Sequence, residues 1–263
     1  MDFGLENKVF FVAASTKGIG YGIARALVNE GASVLIGGRN ENELEQAVYS
    51  LKAIRNIKIL GNTFDASNHD SLHSWIEFGI REFGAPDGLV VNAGGPVPGK
   101  FFDFDESDWQ DAFELTLMSA VRMINMVLPY LRANGRGSVL SITSSSVKEP
   151  IGNLLLSNVM RSGVTSLMKS LSMEFGPENI RFNNLVPGRI DTERVKHLDE
   201  VNASKLSITP EEYKNKVSRE IPLGRYGTID EIGRAGAFLL SEAASYINGV
   251  TLLVDGGKTK TVW

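Results

Sequence analysis

Short runs of continuously apolar residues alternate along this chain with longer amphipathic stretches. The runs are "KVFFVAA" (8–14), "ASVLIG" (32–37), "IKILG" (57–61), "DGLVVNA" (87–93), "GSVLSIT" (137–143), "IRFNNLVP" (180–187) and "GVTLLVDG" (249–256). Their apolar residues do not alternate with polar ones, as expected of strands covered on both faces in a parallel sheet. Helical patterns fall between them, at about 18–30, 41–54, 69–83, 106–133, 153–175 and 229–241. The alternation predicts an α/β fold: a Rossmann-type, doubly wound parallel sheet of about seven strands with helices on both faces. One charged segment, 193–222, breaks the rhythm and reads as a lid with its own helices. Within it "SITPEEY" marks a helix start, with Thr209 as cap, Pro210 in the first turn and Glu212 completing a capping box. The lid's mixed charges suit a polar substrate or a solvated face.

Composition narrows the chemistry. Of 263 residues, 43% are hydrophobic and 22% charged, a soluble-protein balance with no repeat or long linker, so one domain over 1–263 is expected. The absence of cysteine removes disulfides, thiolate metal sites and cysteine nucleophiles, and no metal site is expected. A net charge of −4 leaves no basic excess for a nucleic-acid backbone, so no such partner is expected. The first apolar run follows no basic segment and is too short for a signal or a membrane span, which sets the expectation of a cytoplasmic protein with no membrane partner.

Doubly wound sheets bind ligands beyond the carboxyl ends of their strands. After the first strand comes "AASTKGIGYGIA", where Gly18 and Gly20 open a helix. Small residues there let backbone approach a pyrophosphate at the helix N-terminus, although a plain glycine turn has the same composition. Lys17 lies inside this loop, and Arg39 ends the second strand, where such folds read the adenosine ribose. An acidic residue at that point would accept from a free 2′-hydroxyl. The cation suits a 2′-phosphate, so NADP(H) is favoured over NAD(H).

With "NAGG" (92–95), "TFDAS" (63–67), "VPGRIDT" (186–192), "PLGRYGTIDEIGRAGAFLLSEAASYING" and "INGVTLLVDGG" (247–257) in order, the whole chain resembles the short-chain dehydrogenase/reductase family. Its C-terminal half is similar to reductases of the 3-oxoacyl carrier-protein and sugar-dehydrogenase type. The resemblance implies a cofactor site at Ser15, Lys17, Ile19, Arg39, Asp65, Ala66, Asn92, Ala93, Gly94, Pro187, Gly188, Ile190 and Thr192. The family's loop begins Thr-Gly; here the pair is Ala13-Ala14. Ala14 costs little at negative φ and crowds the turn at positive φ.

The catalytic set departs further. The family pattern is an Asn, a Ser, a Tyr and a Lys. Ser144 matches the serine, but Ser157 stands for the tyrosine, Arg161 for the lysine and Thr116 for the asparagine. The downstream "SGVTSLMKSLSMEFGP" keeps the register. None of the tyrosines at 21, 49, 130, 213, 226 and 246 is followed by Lys four residues on. Tyr21 and Arg25 share that spacing, yet sit on the first helix, where packing and surface roles are expected. A serine hydroxyl is a far weaker acid than a tyrosine, whose pKa is about 10, so Ser157 is a poor replacement. Arg161 keeps its charge and has donors for the nicotinamide ribose, but cannot relay a proton by releasing one.

Lys148, Glu149, His197 and a water held by Ser144 and Ser157 are the alternative proton sources. For His197 an exposed place on the lid is the simpler expectation, and for Lys148 and Glu149 a solvated turn. The apolar residues Leu115, Met118, Met123, Leu167 and Met168 on the two long helices are candidates for the homodimer or homotetramer that the resemblance implies, or for core. The leading expectation is an NADP(H)-dependent oxidoreductase of a small carbonyl or hydroxyl substrate, such as a 3-oxoacyl thioester or a sugar, with an altered proton donor. The alternative is a dinucleotide-binding sensor or scaffold without turnover.

Overall fold

A computed structural model describes residues 2–262. The strands are β1 (Val9–Val12), β2 (Ser33–Gly38), β3 (Ile59–Thr63), β4 (Gly88–Val91), β5 (Gly137–Ile142), β6 (Ile180–Pro187) and β7 (Thr251–Val254). They form one seven-stranded sheet in the order β3-β2-β1-β4-β5-β6-β7, and every pair is parallel. All seven apolar runs read from the sequence therefore become strands. The helices are α1 (Gly18–Asn29), α2 (Glu41–Lys52), α3 (His69–Phe83), α4 (Glu106–Ala112), α5 (Ser119–Ala133), α6 (Leu155–Glu174), α7 (Glu193–Lys205), α8 (Pro210–Ser218) and α9 (Ile229–Leu240).

Two apolar layers hold the helices on the sheet. One gathers Ile23 and Leu27 of α1, Leu51 of α2 and Ile232 and Leu239 of α9. The other gathers Trp75 of α3, Met123 and Val127 of α5 and Val164 and Met168 of α6. Neighbouring residues of a strand point to opposite faces, so Phe10 and Val12 belong to the first layer and Phe11 to the second. Met123 and Met168 are fully buried here, which corrects their candidacy for a subunit surface. By length and composition the helical run Glu106–Ala133 is apolar enough to cross a membrane. It places Ala120, Met123, Ile124, Val127 and Leu131 in the second layer.

That run is not one regular helix. Residues 113–118 form a π-helical turn between α4 and α5. A π turn widens the backbone ring by one residue and commonly sits at functional sites. Thr116 lies in it, buried, and its hydroxyl has no partner. The lid takes the predicted form of two helices, α7 and α8, with Thr209, Pro210 and Glu212 as a complete capping box.

Sheet order reverses between β1 and β4, so the loops leaving these strands diverge and open a crevice. The close packing of α1 on α9 sets the position of the first loop. A Cβ on Gly22 would overlap the Ile229 carbonyl, and one on Gly233 would overlap the Gly22 carbonyl. Overpacking of this kind costs about 1–3 kcal/mol. Gly22→Ala is therefore expected to lower unfolding free energy by about that amount, read from the urea midpoint at unchanged slope.

Candidate active site

The glycine loop shapes the first wall of the crevice. α1 begins at Gly18 with no side-chain cap and no acidic residue in its first turn. Its leading N–H groups and the positive end of its dipole thus meet no competing protein anion. Gly18 has φ +62° and its open side faces the Thr192 methyl at 3.7 Å. A Cβ on Gly20 would strike the Ala14 carbonyl and approach Asn92 Nδ2 at 3.0 Å, so this position accepts only glycine. Asn92 donates from Nδ2 to the same Ala14 carbonyl at 3.0 Å, locking the loops after β1 and β4 together. This cradle fits a dinucleotide pyrophosphate, with Ile19 half-exposed just inside the helix start.

Ala14 has φ +45°. The alanine therefore occupies the left-handed region, at a cost of about 1–2 kcal/mol. Ser15 has a structural part in the loop. Its hydroxyl donates to Val12 O at 2.5 Å and accepts from Gly37 N at 3.1 Å, and its own N–H donates to Gly37 O at 2.8 Å. These polar groups pin β1 to β2, so Ser15 builds the loop.

The two basic residues differ in setting. Lys17 pairs with Glu43 at 2.8 Å, so part of its charge is answered within the protein. Arg39 is exposed beside Asp65. Burial pushes the Asp65 carboxyl up, but hydrogen bonds from Ser67 and the charge of Arg39 outweigh it and hold the pKa below the usual range. Ala66 is buried below this rim. Gly38 keeps the β2 end low, since a Cβ there would meet the Thr16 methyl at 2.7 Å.

On the far side of the crevice, Ala93 and Gly94 follow β4, and Pro187 and Gly188 close β6. Gly188 sits 2.6 Å, measured from where its Cβ would be, from Asp255 Cα. Ile190 is core, and its neighbours Arg189 and Asp191 hydrogen-bond to Gly227, so any ligand contact there is through backbone. Thr192 caps α7, accepting from Val195 N at 3.3 Å.

The substituted catalytic positions converge. Ser144 ends the path from β5 and caps a 3₁₀ turn, its hydroxyl accepting from Ser146 N at 3.2 Å. Ser157 and Arg161 lie one helical turn apart on the buried face of α6. Arg161 Nη1 donates to Ile142 O at 2.9 Å and Nη2 to Gly94 O at 3.5 Å. Burial, then the nearby positive charge of Arg194, pushes its pKa down to about 10. It remains a cation at neutral pH. Asn158, between them, is structural: its amide exchanges hydrogen bonds with the Ile151 backbone.

Other candidate donors separate from this group. His197 is exposed on the lid, 3.6 Å from Glu200. Glu149 is half-buried and accepts from Lys260 N at 2.9 Å, so it tethers the C-terminal segment and is not a merely solvated turn. Tyr226 is buried against α7 and α8, donating to Asp199 at 2.8 Å, and burial followed by this bond raises its pKa. Arg25 lies over the Tyr21 ring and pairs with Asp230, a packing and surface role. The residue sequence reasoning missed is Arg194, whose guanidinium fills the space above Gly95.

The sheet order, the crevice and the glycine cradle define a Rossmann-class α/β protein. A family model described as "Enoyl-(Acyl carrier protein) reductase" matches residues 13–259. The pig dehydrogenase/reductase SDR family member 4 is 32% identical over 254 residues, covering 96% of this chain and 88% of the relative. The 3-oxoacyl-[acyl-carrier-protein] reductase FabG of Chlamydia muridarum is 32% identical over 256 residues, covering 96% and 98%. The crystal structure of L-sorbose reductase from Gluconobacter frateurii, complexed with NADPH and L-sorbose, superposes with a TM-score of 0.95 at 30% identity, with full coverage of both chains. The chain belongs to the short-chain dehydrogenase/reductase family and is an oxidoreductase of that type.

Relief of the left-handed alanine gives a local test. Ala14→Gly removes the Cβ strain and loses about 0.4–1 kcal/mol through unfolded-state entropy. A net gain of about 0.5–1 kcal/mol is expected, because the strain is the larger quantity. The measurement is a rise of a few degrees in Tm by differential scanning calorimetry.

Proposed function

We propose that this protein is an NADP(H)-dependent oxidoreductase of a carbonyl or hydroxyl substrate, working without a tyrosine acid. The observation carrying the reading is the pairing of an open glycine cradle with a buried guanidinium that bridges the Ile142 and Gly94 carbonyls. The cofactor, when bound, supplies or accepts a hydride. The 2′-phosphate falls to Arg39, and the pyrophosphate to the first turn of α1. The relative of known structure that was solved with NADPH supports the cofactor choice.

Arg161 has five N–H donors, of which two are engaged by backbone carbonyls. The remaining donors hold the ribose side of the nicotinamide and present positive charge where negative charge gathers on the substrate oxygen during reduction. A fixed cation in a water-poor cleft stabilises such charge without reorganising. Ser144 and Ser157 orient a water in contact with bulk solvent, which gives its proton to that oxygen while the hydroxide left behind takes up a proton from the solvent. Protonation by water needs no residue that titrates near neutrality. A small compound carrying a ketone, aldehyde or hydroxyl group is the substrate class, and pairing of two copies across the outer face of α6, where Val159 and Met173 are exposed, is the proposed assembly.

Two measurements test this. Arg39→Ala is expected to weaken NADPH binding about tenfold and leave NADH binding unchanged, the scale of one charge-assisted phosphate contact; equal loss for both cofactors contradicts the 2′-phosphate role. Rates of NADPH oxidation with a panel of ketones, aldoses and 3-oxoacyl thioesters are expected to be flat in pH from about 6 to 9, because neither a serine nor Arg161, at about 10, titrates there. The sign above that window is a decline as Arg161 loses its proton. The double variant Ser157→Tyr/Arg161→Lys is expected to raise kcat and to introduce a pH-dependent limb inside the window. No turnover above a Ser144→Ala control, with NADPH bound, favours a sensor or scaffold.

A further inference from the structure

Arg161 and Arg194 form a pair of like charges with no counter-charge. Arg194 leaves the first turn of α7 and lays its guanidinium over Gly95, where a Cβ would collide with it. Arg161 rises from α6 and is fixed below, on Gly94 O and Ile142 O. The two are near enough for the positive charge of Arg194 to depress the pKa of Arg161. Arg194 is an exposed residue whose guanidinium end reaches down to Gly95, and partial burial of that end lowers its pKa.

The carboxylates on and just before α7 have other neighbours. Asp191 pairs with Lys214 through one oxygen, its other being buried without a partner, Asp199 pairs with Arg189 and Tyr226, Glu193 with Lys196, and Glu200 lies beside His197. Among the described residues, neither arginine is ion-paired with a carboxylate, and Arg161 is buried. A buried cation without an anionic partner is costly, and a second cation beside it adds to that cost. A planar, bidentate anion relieves both costs at once, because guanidinium donors match the two oxygens of a carboxylate.

We infer that Arg161 and Arg194 form a carboxylate-binding subsite at the substrate end of the crevice, so that the substrate is an oxo acid or hydroxy acid, with α7 delivering Arg194 onto it. This deepens the oxidoreductase reading above and rests on it for the position of the reacting carbon. Gly95 is part of the device, because a side chain there would displace the Arg194 guanidinium. The same two cations also suit a phosphate of the cofactor, and the experiment separates the two sources.

The test titrates oxalate, and its neutral counterpart oxamide, into the full-length protein by calorimetry, without cofactor and with saturating NADPH. Oxalate is expected to bind in both conditions, oxamide in neither. Arg194→Gln, at the accessible edge of the site, is expected to weaken oxalate about tenfold while NADPH affinity changes less than about threefold. Equal oxalate affinity in wild type and Arg194→Gln overturns the subsite. Loss of oxalate binding on NADPH saturation, with a tenfold loss of NADPH affinity in the variant, assigns the arginines to a cofactor phosphate and overturns the substrate role. Failure of the wild type to bind NADPH overturns the oxidoreductase reading, while the cofactor-free oxalate titration still reports on the arginine pair by itself.

Discussion

The guanidinium of Arg161, held between the carbonyls of Ile142 and Gly94, ties α6 to the ends of the two central strands. In a parallel sheet those ends carry carbonyls with no further strand partner, and an arginine fork is long and flat enough to satisfy two of them together. The cation remains buried and only partly answered. Its surroundings, which are the Gly94 loop, the substituted serine one turn before it and the lid arginine above, are arranged about that charge.

The crevice itself depends on an absence of side chains. Gly20 and Gly38 allow backbone to approach where any Cβ would collide, and Asn92 fastens the two diverging loops to each other. Ala14 accepts a left-handed conformation within the same turn. The strain is small against the packing of α1 on α9, which holds the loop in place through Gly22 and Gly233. Strain at a binding loop persists only where the surrounding structure over-determines it.

In the proposed reading, Ser157 and Arg161 stand where the family pattern has a tyrosine and a lysine, and that changes the kind of catalysis the site supports. A phenol beside an ammonium is an acid tuned toward neutrality. A serine beside a guanidinium is not, and what remains is electrostatic: a fixed positive charge with donors directed at the place where negative charge gathers. The segment around α7 adds to that character in the proposed reading, because Asp191, Asp199 and Glu193 pair with Lys214, Arg189 and Lys196, leaving Arg194 to the crevice.

Much of this protein was legible in its sequence. Short apolar runs spaced by amphipathic stretches and bounded by Gly, Asn and Asp suit strands of a parallel sheet, so all seven strands followed from local pattern. The capping box at Thr209 and the loss of the Tyr and Lys at 157 and 161 were equally local facts. Spatial neighbours were not legible. Ser15 turned inward to β2, Lys17 met Glu43 from another helix, and Met168 sank into the core, because each outcome depends on contacts between segments far apart in sequence. The approach of Arg194 to Gly95 and Arg161 joins positions up to 99 residues apart in sequence. Sequence determined which charges the chain carries, through the types of its residues; the tertiary structure alone decided which were left without a partner, since neutralisation depends on distance and burial.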